Sequence, residues 1–224
     1  MSAHTTATLA FDVVSAAAIP QAVREKVLAL FHASYRAADD TYLEQSFSKI
    51  HYLAIATTAD GTLAGFGLGD LRIVDLPRLP QQRLALMGIC CIAERFRRHG
   101  LFPELERRAL LAGGIDWLPR VLSCGRMAHP VSLRPMLDNP TRVPKPGTTP
   151  SGWQQDVGAA VAALYGVKEF DRATFVCRGR GTPMNCVIDV DVDPEEWKVF
   201  APVDRTRGDS LLSMFWVPDA PEGW

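Results

Sequence analysis

The sequence predicts an α/β domain: a mixed central β-sheet flanked by helices, with one Pro-rich loop insertion. Strand-like and helix-like periodicities alternate along the chain. Ala59-Asp60-Gly61 between two apolar runs marks a β-hairpin. The segment R-L-A-L-M-G-I-C-C-I-A, residues 83 to 93, is almost unbroken apolar chain, as expected of a central strand covered on both faces. With 224 residues, one domain over 1-224 is expected.

The elements follow in order. T-L-A-F-D-V-V alternates as a strand does, and Ile19-Pro20 opens a helix whose apolar stripe runs through Val23, Val27, Leu30 and Phe31 and ends near Tyr35. Asp39 and Asp40 have the chemistry of N-caps for a second helix through Tyr42, Leu43 and Phe47. The hairpin comes next, then a polar, Pro-bearing connection from Asp75 to Gln82 and the central strand. An Arg-rich turn leads to a helix from about Leu101 to Gly113 and a strand at P-R-V-L-S-C-G. Residues 138-152, with Pro140, Pro144, Pro146 and Pro150, cannot sustain a ladder or a helix and are expected to form a long loop. A helix from Trp153 to Tyr165 and strands at A-T-F-V-C-R, N-C-V-I-D-V and S-L-L-S-M-F-W-V complete the chain.

Composition narrows the function. Apolar residues make up 47% and charged residues 22%, which excludes a collagen-like or wholly disordered chain. Lys plus Arg number 24 against 25 Asp plus Glu, so no global charge favours nucleic acid or an anionic membrane, and neither partner is expected. The first ten residues lack the pattern of a secretory signal, and no apolar run approaches the ~20 residues of a membrane span, so a cytoplasmic location is expected. The five cysteines form no C-x-x-C pair and stand mostly in apolar strands, as buried thiols do; the five histidines share no ligand spacing with them, and no metal is expected.

The chemistry concentrates at residues 89 to 110, I-C-C-I-A-E-R-F-R-R-H-G-L-F-P-E-L-E-R-R-A-L. A buried strand runs into Arg97, Arg98, His99 and Gly100, and a helix starts at once. First-turn amides lack intrahelical partners and carry the positive end of the macrodipole, so this geometry favours a phosphate. Gly100 lets backbone approach an anion, Pro103 sits where its missing N–H costs nothing, and the arginines can add charge-assisted contacts. Glu104 with Arg107 and Arg108 can equally form a solvated helix face.

The run R-R-H-G-L-F resembles the R/Q-x-x-G-x-G/A acyl-CoA motif of the GNAT acyltransferase superfamily, and the order of elements is similar from residue 8 to 217. The resemblance implies the GNAT fold and acetyl-CoA or another acyl-CoA as co-substrate. Arg97 would take the R/Q place and Gly100 the central glycine; Arg98, His99, Leu101 and Phe102 would surround the pyrophosphate. Backbone of Cys90, Cys91 and Ile92 would pair with the pantetheine arm, with the amides of Cys91 and Ile92 as oxyanion donors. The implied reaction is direct attack of a small-molecule amine on the thioester, in a monomer or homodimer.

Two positions depart from the motif. Phe102 replaces a small residue, and Met136 stands where the family often has a Tyr that protonates the departing thiolate; a thioether cannot donate a proton. Ser132, Cys124 or a water are the alternative donors. Asp70, Asp75, Glu44, Asp40 and His51 are available as a base, with Asp70 the choice among them. Residues 139-152 are expected to form a mobile lid over the acceptor, with Arg142 and Trp153 as possible lid residues. Two rival readings are a GNAT-fold protein that holds acyl-CoA without turnover and, well behind, a nucleic-acid patch at Arg95, Arg97, Arg98, Arg107 and Arg108.

Overall fold

The computed structural model describes residues 9-35, 38-179 and 191-224. In chain order the elements are β1 (Ala10–Ser15), α1 (Gln21–Ser34), α2 (Asp40–Lys49), β2 (Tyr52–Thr57), β3 (Leu63–Leu76), β4 (Leu79–Ile92), α3 (Leu101–Leu111), β5 (Val121–Met127), α4 (Gly152–Leu164), β6 (Phe170–Asp171), β7 (Val176–Cys177) and β8 (Ser210–Val217), with short 3-10 turns between. The strands form one sheet in the order β1-β2-β3-β4-β5-β8-β7-β6, in which β4 and β5 are the one parallel pair among the described residues. This is the mixed α/β architecture expected from the sequence. The N-C-V-I-D-V segment lies outside the described residues.

Local chemistry explains the boundaries. The Asp39 carboxylate accepts the Thr41 amide at 2.9 Å and starts α2, while Ser151 and Gln154 close a reciprocal capping box on α4. The Asp60-Gly61 turn joins β2 to β3, with Gly61 at φ 78°. The expected connection from Asp75 to Gln82 is instead part of a second hairpin: Val74 pairs with Gln82 and Leu76 with Leu79, and the chain reverses at Pro77-Arg78. Arg78 and Gln81 adopt positive φ, and the Asp75 carboxylate accepts the Gln81 amide at 2.8 Å, so polar residues build the turn inside the ladder.

Alternation divides the sheet into two faces. Leu53, Ile55, Phe66, Leu68, Leu84 and Leu86 pack in the large core with residues of α1, α2 and α4. The other face carries α3, seated on Ala54, Ala56 and Ala64 and on a glycine stripe in β3. A Cβ at Gly69 would lie 2.9 Å from the Ala109 Cβ, so the helix rests directly on strand backbone.

The Pro-rich segment is not a lid. Val143 bridges to Met214, the Thr141 hydroxyl accepts the Trp216 amide at 2.8 Å, and Asn139 Nδ2 donates to the Trp216 carbonyl at 3.3 Å. The segment is thus a strap fastened to β8 by the Val143 backbone and by the Thr141 and Asn139 side chains. Within it Arg142 is buried, and Trp153 donates to the Pro77 carbonyl at 2.7 Å, which anchors α4 to the β3-β4 turn. Thr141→Val leaves a buried Trp216 amide without its acceptor. A loss of about 1–3 kcal/mol in urea unfolding is expected; unchanged stability would show that the strap is not held through this contact.

Candidate functional site

The site begins where the parallel pair separates. Met87 pairs with Gly125 at the last rung of β4 and β5, yet β4 continues to Ile92. Between Met87 and Cys90 the β3-β4 register slips by one, with Gly88 and Ile89 opposite the single residue Leu68. This β-bulge bends β4 away and reverses the phase of its side chains. Gly88 is required: a Cβ there would stand 2.7 Å from both Leu68 Cβ and Ile50 Cδ1.

Beyond the bulge, the Ala93 amide donates to the Ala64 carbonyl at 2.9 Å, which sets the antiparallel alternation. In that register Cys91 and Phe66 form a hydrogen-bonded pair, whereas Cys90 and Ile92 turn their amides and carbonyls away from β3. The expected oxyanion donor at Cys91 is therefore spent on the ladder, and the outward donors are Cys90 and Ile92. Arg97 Nε reaches the outward Ile92 carbonyl at 3.1 Å and ties the cradle turn to the end of β4.

The opening is a cavity of about 610 Å³ that reaches both faces of the sheet. On the α3 face its wall holds Cys90, Phe102 and Glu106, the last two one helical turn apart. On the opposite face Tyr42, Gln45, Ser46 and Lys49 present one side of α2, joined by Arg126 and the turn after α4. Tyr165 stands at the apex, its hydroxyl 2.9 Å from the Met87 carbonyl and 2.8 Å from the Cys124 carbonyl, bridging the two strands where they part.

At the start of α3, Gly100 has φ 74° and a Cβ there would meet nothing within 4 Å. Leu101 and Phe102 occupy the first turn, where amides have no intrahelical acceptor. Arg98 and His99 are exposed beside them. Arg107 and Arg108 instead pair with Glu104 at 2.9 and 2.6 Å, holding its carboxyl down at about 2. These two arginines belong to the solvated helix face.

Among the catalytic candidates, Ser132 and the buried Met136 line the cavity. Cys124 is fully enclosed, and burial pushes its thiol well above the ordinary range. Asp70 is buried in an ion cluster with Arg72 and with His51, the latter at 3.0 Å, and does not line the cavity. The other carboxylates are committed elsewhere: Glu44 to Arg24, Asp40 to His32, Asp75 to Gln81. His129 caps a 3-10 turn through Nδ1, against Trp197.

Sequence reasoning passed over Glu106. Its carboxyl opens onto the cavity, makes no ion pair or hydrogen bond among the described residues, and is pushed by burial up to about 7. Burial and the neighbouring Glu106 charge push the Cys90 thiol well up, which disfavours a thiolate nucleophile. The available signal was Phe102 and Glu106 at i,i+4 on one side of the cradle helix. Among the described residues no group of three or more His, Cys, Asp or Glu is placed to hold a metal, and no helix is long and apolar enough to cross a membrane.

Fold and site together define a split-sheet protein, with a cleft open to both faces and a helix N-terminus at the end of the diverging strand. No protein-family model matches the sequence, and no curated protein matches it. Several solved structures overlap it in part. An IAA acetyltransferase from Bacillus cereus is 12% identical, over 57% of this chain and 72% of that one, with a TM-score of 0.37. A GNAT family N-acetyltransferase from Escherichia coli in complex with CoA is 17% identical over 59% and 70%, with a TM-score of 0.35. The glucosamine N-acetyltransferase region of a fungal multi-domain β-N-acetylglucosaminidase is 12% identical over 55% of this chain, at a TM-score of 0.37; the match spans 14% of that protein.

Proposed function

We propose that the protein is a GNAT-type acyl-CoA-dependent N-acyltransferase that acts on a small-molecule amine. The observation that carries this reading is the loss of β4-β5 pairing after Met87 and Gly125, which opens a through-sheet cavity beside the N-terminus of α3. The residues present fit an extended coenzyme. The open face of Gly100 and the first-turn amides of Leu101 and Phe102 suit a pyrophosphate, with Arg97, Arg98 and His99 around them. The outward backbone of Cys90 and Ile92 suits an amide-bearing arm lying alongside the strand.

The bound acyl-CoA supplies an activated thioester. The chain supplies position and protons. The outward amides of Cys90 and Ile92 are donors for an oxyanion, and Tyr165 holds the fork open. Glu106, titrating at about 7 on the α3 face, holds a proton on its carboxyl near neutral pH and takes the place left by Met136 as acid toward the departing sulfur. Ser132, whose hydroxyl also lines the cavity, is a second candidate donor, and Cys124 and Asp70 give way to these two.

Calorimetric titration with acetyl-CoA and longer acyl-CoAs tests the binding, and release of free thiol with a panel of amines tests turnover. Binding without release under any amine would favour a non-catalytic acyl-CoA-binding protein. Gly100→Val is expected to weaken acetyl-CoA binding roughly tenfold, because a β-branched residue resists the left-handed backbone by about 1–2 kcal/mol and turns the cradle amides. With open space around that position the effect comes from backbone conformation and not from a clash. Full affinity in the folded variant would place the pyrophosphate elsewhere.

A further inference from the structure

In the half of the cavity opposite α3, three cations have no carboxylate within ion-pair distance among the described residues. Arg126 follows Gly125, the last β5 residue to pair with β4, and shares a face of β5 with Leu122 and Cys124, away from α3. Its Nε and Nη2 lie 3.2 and 3.0 Å from the Ser210 hydroxyl, and its guanidinium lies over the Tyr165 ring at 6.0 Å. Lys49 ends the α2 face formed by Tyr42, Gln45 and Ser46, and its backbone carbonyl is held by Arg72. Lys168, which is exposed, stands in the same wall. None of the three meets a carboxylate within 4 Å among the described residues. Of the other charged groups in the wall, Arg178 is paired with Asp171, Glu169 is exposed, and Glu106 belongs to the α3 face.

The partly buried, unpaired charges of Arg126 and Lys49 in one wall are costly, and an anion placed between them relieves that cost. Consistent with this, burial and then the Arg126 charge depress the Lys49 ammonium. Hydroxyls of Tyr42 and Ser46 and the amide of Gln45 add polar contacts, while Ile50 and Phe215 leave an apolar patch for a hydrocarbon side chain.

We infer that the acceptor is an amine that also bears a carboxylate, an amino acid, whose carboxylate is held by Arg126 and Lys49 on the face of the sheet opposite α3. This rests on the acyltransferase reading. The same wall repels polycationic amines, since like charges in a partly dry cleft are costly. A guanidinium fork suits a carboxylate, and Lys49 adds a point charge from the other side of the cleft.

The experiment is equilibrium binding to the full chain saturated with coenzyme A, using L-leucine, L-methionine, L-phenylalanine and L-glutamate, each beside its carboxamide, with spermidine as the cationic control. At least one acid is expected to bind tenfold or more tightly than its amide, with spermidine not bound. Lys49→Met and Arg126→Lys are expected to remove most of that difference and leave the amide unchanged; the pair keeps the test open if one variant fails to fold. Equal binding of acid and amide, binding of no acid, or tight spermidine binding would each overturn the inference. A parallel turnover series with acetyl-CoA and succinyl-CoA separates the source of the anion: selection for succinyl-CoA with no selection among amines would give the cations to the acyl group and overturn it as well. Acetyl-CoA affinity, titrated on the same proteins, reports separately on the acyltransferase reading.

Discussion

Glu106→Gln is expected to lower kcat for amine acylation by about 10²–10³-fold, with little change in acetyl-CoA affinity. The amide keeps the shape of the side chain and its place in the wall but cannot exchange a proton. The wild-type rate is expected to lose its acid-dependent contribution as pH rises through about 7, where the carboxyl titrates, and the variant is expected to lack that limb. Burial raises this group in the folded state, so the native protein binds more protons than the unfolded chain between the ordinary carboxyl range and about 7. The stability that protonation supports is complete below the unfolded pKa and is lost as pH rises through the folded one. Relative to wild type, Glu106→Gln should therefore gain stability at pH 8, on the order of 2 kcal/mol, and nothing at pH 4. Thermal unfolding at both pH values checks this. A variant with the wild-type rate profile and no pH-dependent gain would remove Glu106 from the mechanism.

Gly88→Ala is expected to destabilise the fold by about 1–3 kcal/mol and to reduce activity beyond what the remaining folded fraction explains. The added Cβ would sit 2.7 Å from Leu68 Cβ in the paired strand and from Ile50 Cδ1, so either the bulge or the packing of Ile50 must give. Straightening the bulge would return β4 to its former phase and turn the outward amides of Cys90 and Ile92. Ile50→Ala in the same background removes one of the two close contacts but leaves Leu68 Cβ, and should recover only part of the loss. Urea unfolding and thiol release on the same samples check both halves; full activity per folded molecule would show that the bulge geometry is not needed for turnover.

Much of this architecture was legible along the chain because its determinants are local. The Asp39 cap and the Asp60-Gly61 turn act over a few residues, and each appears where its chemistry indicates. Two expectations failed for one reason: prolines and polar residues show where regular structure is unlikely to be central, but not what lies against them. The Asp75-Gln82 segment continues the ladder on both sides of a tight turn, and the 139-152 segment is fastened to β8, some 70 residues away along the chain.

The site divides in the same way. The cradle at Arg97 to Phe102 is contiguous, so a strand, a glycine and a helix start written side by side place it without tertiary information. The proposed acid and acceptor wall are not contiguous. Glu106 reads as one more helix-surface carboxylate until β4 and β5 separate and burial raises its affinity for a proton. Asp70, the base chosen from the sequence, is buried against Arg72, two residues on in the same strand, and His51, just before β2. Lys49 and Arg126, 77 positions apart, become one wall through the crossing of α2 over the split sheet. Local patterning thus settled where the elements and the glycine-led turn before α3 lie, because backbone propensity and capping act over one or two turns. Which charges are buried, paired or left facing the cavity depended on long-range packing, because desolvation and ion pairing are set by neighbours in space.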